Sequence, residues 1–221
     1  IFVVSGGAEQ LKSYYQPHQE LEEYLKANNK LDELNELSSI GEGMTFHYVE
    51  QPRDVYGTAV PVWVAREHIS EGESFVVLMG DDFIVRHDGT SSVAALIGSW
   101  QQSDAEHALL AVEVPLQDVS KYGVLLVGKD DSLDSIVEKP SVETAPSTLI
   151  NVSKYIFGAS ILENLASYME TERNGEYMIT DVVSDSTEQG RRFAVVPAHG
   201  AYLDGGTVEG WLHANSYIAN L

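Results

Sequence analysis

The chain has 221 residues, 43% of them hydrophobic, enough for one domain over residues 1–221 with a sizeable core. Its 34 acidic and 13 basic residues leave a net charge of −21, a surface that repels nucleic acid and anionic lipid. With no cysteine, disulfides and thiolate metal sites are excluded and a cytoplasmic setting is expected; no apolar run nears the roughly 20 residues of a membrane helix.

Ile1-Phe-Val-Val4 reads as a buried strand closing at the Ser5-Gly6-Gly7 loop, with no basic residue before it to suggest a secretory signal. Glu9 to Leu37 carries a helical pattern through Leu11, Tyr14, Leu21, Tyr24, Leu25, Leu31 and Leu34, which Pro17 breaks into two helices. Met44–Glu50 is a strand with Met44, Phe46 and Tyr48 on one face, and Gly57–His68 a helix carrying Val60, Val64 and Ala65. Phe75–Met79 is uninterruptedly apolar and ends in Gly80-Asp81-Asp82. Such runs suit central strands covered on both faces.

Ser92–Gln102 reads as helix and Ala108–Val114 as strand, followed by strands at Gly123–Val127, Ser135–Val137 and Ile150–Phe157. Helices are expected at Ser160–Met169 and Glu176–Thr187, short strands at Phe193–Val196 and Ala201–Leu203, and a last helix at Val208–Ile218. The alternation implies an α/β fold: a mixed sheet with helices on both faces, three layers in Rossmann-like order. Ligands in such sheets sit beyond the C-terminal ends of strands.

Asp81 stands at such an end. It suits a Mg²⁺ ligand over a nucleotide and, equally, an Asp capping its own turn. Asp82 points the other way on an extended backbone, toward a structural role. In Tyr202-Leu-Asp204-Gly-Gly-Thr207 the glycines let the backbone approach a ligand, while Thr207 is placed to cap the last helix. In Glu138-Lys139-Pro140 the Lys suits a phosphate and the Glu sugar hydroxyls, against the plainer reading of a solvated pair. In Gln51–Ala59, Gln51 can read a base edge and Gly57 lets a ring pack close; the plainer reading is a loop with Thr58 as helix cap. The seven His are scattered without metal-ligand spacing. Nucleophile-elbow, Walker and dinucleotide-binding motifs are absent from the sequence.

In this order, Gln51…Gly57-Thr-Ala, Gly80-Asp81, Tyr122-Gly123-Val124, Glu138-Lys139-Pro140, Glu176-Tyr-Met-Ile-Thr-Asp181 and Leu203-Asp204-Gly205-Gly206 resemble the sugar-1-phosphate nucleotidyltransferase family. The helical stretch from Ser5 to Leu37 resembles that of its bacterial UTP–glucose-1-phosphate uridylyltransferases. The resemblance runs from Ile1 to Leu221. It implies synthesis of UDP-glucose from UTP and glucose 1-phosphate in a homo-oligomer. It also implies Asp81 and Asp204 as Mg²⁺ ligands, with Lys139 the third catalytic residue. Glu138, Lys139, Gly123, Asn151 and Tyr155 would then meet the sugar phosphate, and Gln51 and Gly57 the base.

Two departures stand out. The family's opening strand and glycine-rich loop with Arg and Lys would precede Ile1, so the domain is expected to be N-terminally incomplete. The loop after Gln51 reads Val55-Tyr-Gly-Thr-Ala59 where the uridylyltransferases have Gly-Leu-Gly-His. Thymidylyl or guanylyl transfer is therefore one alternative, a non-catalytic sugar-nucleotide-binding domain another, and a metal-dependent glycosyltransferase a third. If both aspartates serve one metal, their carboxylates are expected within roughly 8 Å of each other.

Overall fold

A computed structural model describes residues 1–172 and 175–221. The chain divides into two compact units, Ile1–Tyr56 and Gly57–Leu221.

In the first unit, β1 (Phe2–Val4) runs parallel to β2 (Tyr48–Glu50). The strand expected from Met44 starts only at Tyr48, because β1 offers three residues to pair with. Phe46 instead joins a ring cluster, its ring centroid 4.5 Å from that of Tyr15 and 5.9 Å from that of Phe2. The helical stretch is three helices rather than the two expected: α1 (Glu9–Tyr14), α2 (Gln19–Ala27) and α3 (Leu31–Ser39). Pro17 accounts for the first break. Asn29 makes the second, taking a left-handed φ of 55°. The Lys30 N–H then reaches back to Leu25 O at 2.9 Å and the Asn29 N–H to Lys26 O at 3.2 Å. This is the Schellman closure, with Asn in the place glycine usually takes.

The second unit holds a six-stranded mixed sheet, in the order β7 (Leu133–Glu138), β6 (Gly123–Val127), β8 (Leu149–Phe157), β5 (His107–Glu113), β9 (Phe193–Pro197), with β3 (Phe75–Leu78) also beside β8. One face packs under α4 (Ala59–Ala65), α6 (Ile161–Glu170) and α7 (Ile179–Glu188), around Leu109, Tyr155, Phe157, Leu165 and Val182. The other packs under α5 (Ser92–Gln102) around Leu96, Leu110 and Ile150. A two-stranded ribbon of β4 (Asp82–Val85) and β10 (Ala201–Asp204) adds Ile84 and Tyr202 to that face. The last helix, α8 (Val208–Ile218), has the bounds the pattern predicts, and the Thr207 hydroxyl caps it by accepting the Gly210 N–H at 3.0 Å. The expected α/β architecture with helices on both faces of a mixed sheet is therefore observed.

Three local expectations are corrected. The strand buried along its length is β5, flanked by β8 and β9, and not β3. With β8 as its one strand neighbour, β3 leaves Val76 41% and Leu78 51% exposed. Residues after Asp81 form β4, a strand the sequence pattern did not reveal, since it is held by pairing with β10 more than a hundred positions away. The Thr58 hydroxyl does not cap α4; it accepts the N–H of Ile179 at 2.9 Å, at the start of α7.

The site is opened by a sharing of one strand edge. A strand has two edges, and β5 takes one edge of β8. On the other, β6 pairs at Ile150 while β3 pairs from Lys154 to Phe157. Residues 151–153 lie between these partners, and there β8 bulges, its register against β5 shifting between Leu109 and Ala111. Ser153 takes a φ of 53° within the bulge. Bulges beside sites commonly re-aim side chains. The C-terminal end of β3, with Gly80-Asp81, and the N-terminal end of β6, with Tyr122-Gly123, both run into this gap.

At the far end of β5, the His107 ring is buried, accepts the Gly158 N–H through Nδ1 at 3.0 Å, and lies 4.4 Å from the Phe193 ring. Burial pushes its pKa down to about 4, outweighing the upward pull of Glu106. The folded chain thus takes this proton less readily than the unfolded one. The stability tied to His107 is full above about pH 6.5 and falls as pH drops toward 4, by up to about 3 kcal/mol. Urea midpoints from pH 7 to 5 should decline for the wild type and decline less for His107→Gln. Parallel slopes would remove His107 as the cause.

Candidate active site

Asp204 ends β10 and faces Asp82 across the ribbon, so Asp81 and Asp204 meet at one end of it. One oxygen of Asp204 and one of Asp81 lie 3.2 and 3.3 Å from the point that a Cβ on Gly206 would occupy. The two oxygens thus flank a space no wider than those distances laid end to end. The backbone holds the pair: the Gly205 N–H donates to Asp81 O at 2.7 Å, and the Gly206 N–H to the Asp204 carboxylate at 2.9 Å.

Two tyrosines brace the carboxylates. The Tyr122 hydroxyl donates to Asp204 at 3.1 Å and the Tyr202 hydroxyl to Asp82 at 3.2 Å. Burial first, then the neighbouring carboxylates, push the Tyr122 phenol up to about 12 and the Tyr202 phenol higher still. Both stay protonated donors. Asp82 itself is buried against the Lys154 ammonium, and burial pushes its carboxyl above the usual range despite the pull of Lys154 and Tyr202.

Glu138 and Lys139 leave β7 beside β6, where Gly123 pairs directly with Glu138. A Cβ on Gly123 would sit 3.1 Å from the Glu138 carboxylate, so the glycine makes room for it. The Thr180 hydroxyl donates to the same carboxylate at 3.0 Å. Lys139 has a left-handed φ of 47° immediately before Pro140, a conformation that costs energy in a residue with a Cβ. Its N–H is tied to Tyr122 O at 2.9 Å, and its side chain is 58% exposed, the ammonium 4.0 Å from Glu138. That leaves the charge free to meet an anion.

Asn151 lies in the gap along β8, its side-chain oxygen accepting the Ser153 N–H at 3.2 Å. The Tyr155 hydroxyl receives the other end of the amide, but the tyrosine is wholly buried, stacked 5.0 Å from the Phe157 ring. It anchors Asn151 from within the core. Gly57 has a φ of 121°, and a Cβ there would fall 2.3 Å from Tyr177 O, so packing on the Tyr177 backbone already demands glycine. Gln51 belongs to the first unit, where its amide reaches Val55 O at 3.4 Å.

Sequence reasoning missed Lys154, and a signal was present: a lysine directly before the apolar Tyr155-Ile156-Phe157, inside a strand read as part of the sheet, calls for a partner if buried. Tyr122 and Tyr202 stood inside motifs already singled out, but their roles as braces follow from strand pairing. Among the described residues no group of three or more His, Cys, Asp or Glu side chains is gathered to hold a metal. The two carboxylates flanking Gly206 are hard oxygen donors, and Mg²⁺ fits such a pair, since it takes one or two protein carboxylates and completes its shell with phosphate oxygens and water.

The sequence profile described as Nucleotidyl transferase matches residues 10–220. The chain belongs to this family. Among its relatives is a UTP–glucose-1-phosphate uridylyltransferase of Komagataeibacter xylinus, 30% identical over 92% of this chain and 69% of the relative. Another, from Pseudomonas aeruginosa, is 28% identical over 98% of this chain and 78% of the relative. Among solved structures, an apo UDP-glucose pyrophosphorylase superposes with a TM-score of 0.88 at 28% identity, over 99% of this chain and 80% of that one. A UDP-glucose pyrophosphorylase complexed with UDP-glucose superposes at 0.82, with 27% identity over the same shares.

Burial raises the Glu138 pKa, with Asp181 and Glu176 adding to it against the pull of Thr180 and Lys139. A raised carboxyl stabilises the fold below its unfolded pKa and loses that contribution as pH rises through the folded value. At pH 7 the ionised side chain therefore costs stability. Glu138→Gln should raise the thermal midpoint at pH 7 and leave it nearly unchanged at pH 4; a lower midpoint at pH 7 would contradict this balance of forces.

Proposed function

We propose that the chain forms UDP-glucose and pyrophosphate from UTP and glucose 1-phosphate. The observation that carries this reading is the meeting, around one gap in the sheet, of an exposed lysine, the polar side chains of Glu138 and Asn151, and two carboxylates flanking Gly206. The names of the relatives support it.

Lys139 holds the phosphate of glucose 1-phosphate as a point charge. Glu138 and Asn151 take sugar hydroxyls, with Tyr155 fixing the Asn151 amide and Gly123 keeping space beside Glu138. Within the second unit, Gly57 is the proposed contact to the pyrimidine base. A phosphate oxygen of the sugar attacks the α-phosphorus in line. The new P–O bond forms as the bond to the β-phosphate breaks, and pyrophosphate leaves with that electron pair. By fixing the nucleophile, Lys139 lowers the entropic part of the barrier. Asp81 and Asp204 are the residues that would hold Mg²⁺, which when bound neutralises charge on the phosphates.

In the protein that carries this chain, Lys139→Ala removes a charge-assisted contact worth about 1.5–3 kcal/mol. The KM for glucose 1-phosphate should rise roughly 10- to 150-fold, with the KM for UTP within about threefold of normal. Turnover with UTP, dTTP and GTP side by side tests the base assignment. Unchanged use of glucose 1-phosphate would make Lys139 a solvated charge, and preference for dTTP or GTP would overturn the uridylyl reading.

A further inference from the structure

Lys154 is placed to do more than neutralise Asp82. Its ammonium is buried, the side chain 9% exposed; it meets the Asp82 carboxylate and, on its own strand, Val152 O at 3.5 Å, and it also meets Met79 O at 3.3 Å and Asp82 O at 2.9 Å. The last two carbonyls bracket Gly80 and Asp81. The Met79 N–H is bound to Ser153 O at 3.2 Å, and the carbonyl of Asp81 itself accepts the Gly205 N–H at 2.7 Å. The main chain is therefore fixed on both sides of Asp81 and at Asp81 itself. On its side-chain face Gly80 is open, since a Cβ there would meet nothing within 4 Å.

We infer that Lys154 is a positioning residue for the Asp81 carboxylate, bracing the Met79–Asp82 turn so that Asp81 faces Asp204 across Gly206. The inference rests on the reading of Asp81 and Asp204 as the metal pair. The bulge at 152–154 makes the arrangement possible: it brings the lysine to the end of β3, where the turn begins. A lysine serving only as a counter-charge would need the carboxylate alone. This one spends two further hydrogen bonds on carbonyls either side of the turn. Groups that orient metal ligands typically change metal affinity by 10- to 100-fold when removed.

The test is Mn²⁺ binding to the full chain, read by electron paramagnetic resonance of free Mn²⁺, alongside UDP-glucose affinity without metal and the thermal midpoint. Removing Lys154 alone strands a buried carboxylate, so the variant of choice is the double change Asp82→Leu with Lys154→Met, an apolar pair that such sites often tolerate. Mn²⁺ affinity should fall at least about tenfold, with metal-free UDP-glucose affinity within about twofold of the wild type. Asp81→Asn is the control and should weaken Mn²⁺ by as much or more. If Asp81→Asn weakens Mn²⁺ and the folded double variant does not, the bracing role is overturned while the metal pair stands. If Asp81→Asn leaves Mn²⁺ binding unchanged, the metal pair itself is wrong, and the inference falls with it. Should the double variant not fold, Lys154→Arg takes its place: its bulkier planar head cannot reproduce both carbonyl contacts, so unaltered Mn²⁺ affinity overturns the proposal and a severalfold loss supports it.

Discussion

Two strands compete for one edge of β8, and neither covers its whole length. Residues 151–153 are left between β6 and β3, in a sheet that carries an apolar cluster on each face. A gap of this kind exposes backbone groups that must find partners. Here the Ser153 N–H finds the Asn151 side chain, Ser153 O the Met79 N–H, and Val152 O the buried Lys154 ammonium. The polar character of the site follows from that topology. So does its position, because the ends of β3 and β6 deliver Asp81 and Gly123 to the same opening.

The electrostatics of the site answer the composition. A chain with a net charge of −21 is a poor host for phosphates unless cations are placed locally. One cation, Lys139, is held out by a strained backbone with most of its side chain exposed. Another, Lys154, is spent inside, on the Asp82 carboxylate and three carbonyls. The carboxylates of Asp81 and Asp204 add negative charge where substrate phosphates are proposed to lie, a repulsion that the proposed divalent cation would relieve. Stability is given up in the same place, since Glu138 is kept ionisable in a setting that raises its pKa.

Much of the fold is legible in the sequence because its elements are set by local pattern. The helices at Ser92–Gln102 and Val208–Ile218 and the strand at Gly123–Val127 have the bounds their periodicity predicts. The apolar run at Phe75–Met79 misled, since hydrophobicity reports burial averaged over neighbours and says nothing of how many strand partners a segment has. β4 was invisible for a related reason: only its pairing with β10 makes it a strand. Within the site, the motif residues could be named, but the fit between Gly123 and Glu138, or Gly206 and two aspartates, depends on registers between distant strands. Tyr155 marks the limit most clearly. It stands in a pocket-lining position by resemblance, yet is sealed in the core and reaches the gap only through Asn151.

The opening beside Gly206 is proposed as a metal-phosphate site made by two carboxylates more than a hundred positions apart in the chain. Crystals of the protein grown with Mn²⁺ and UDP-glucose, measured at a wavelength where manganese scatters anomalously, test it most directly. The account predicts one strong anomalous peak between Asp81 and Asp204, about 2.0–2.3 Å from a carboxylate oxygen of each or one bridging water away, with the nucleotide's phosphates completing its shell. A peak elsewhere, or ordered UDP-glucose phosphates with no metal between these two aspartates, would contradict it.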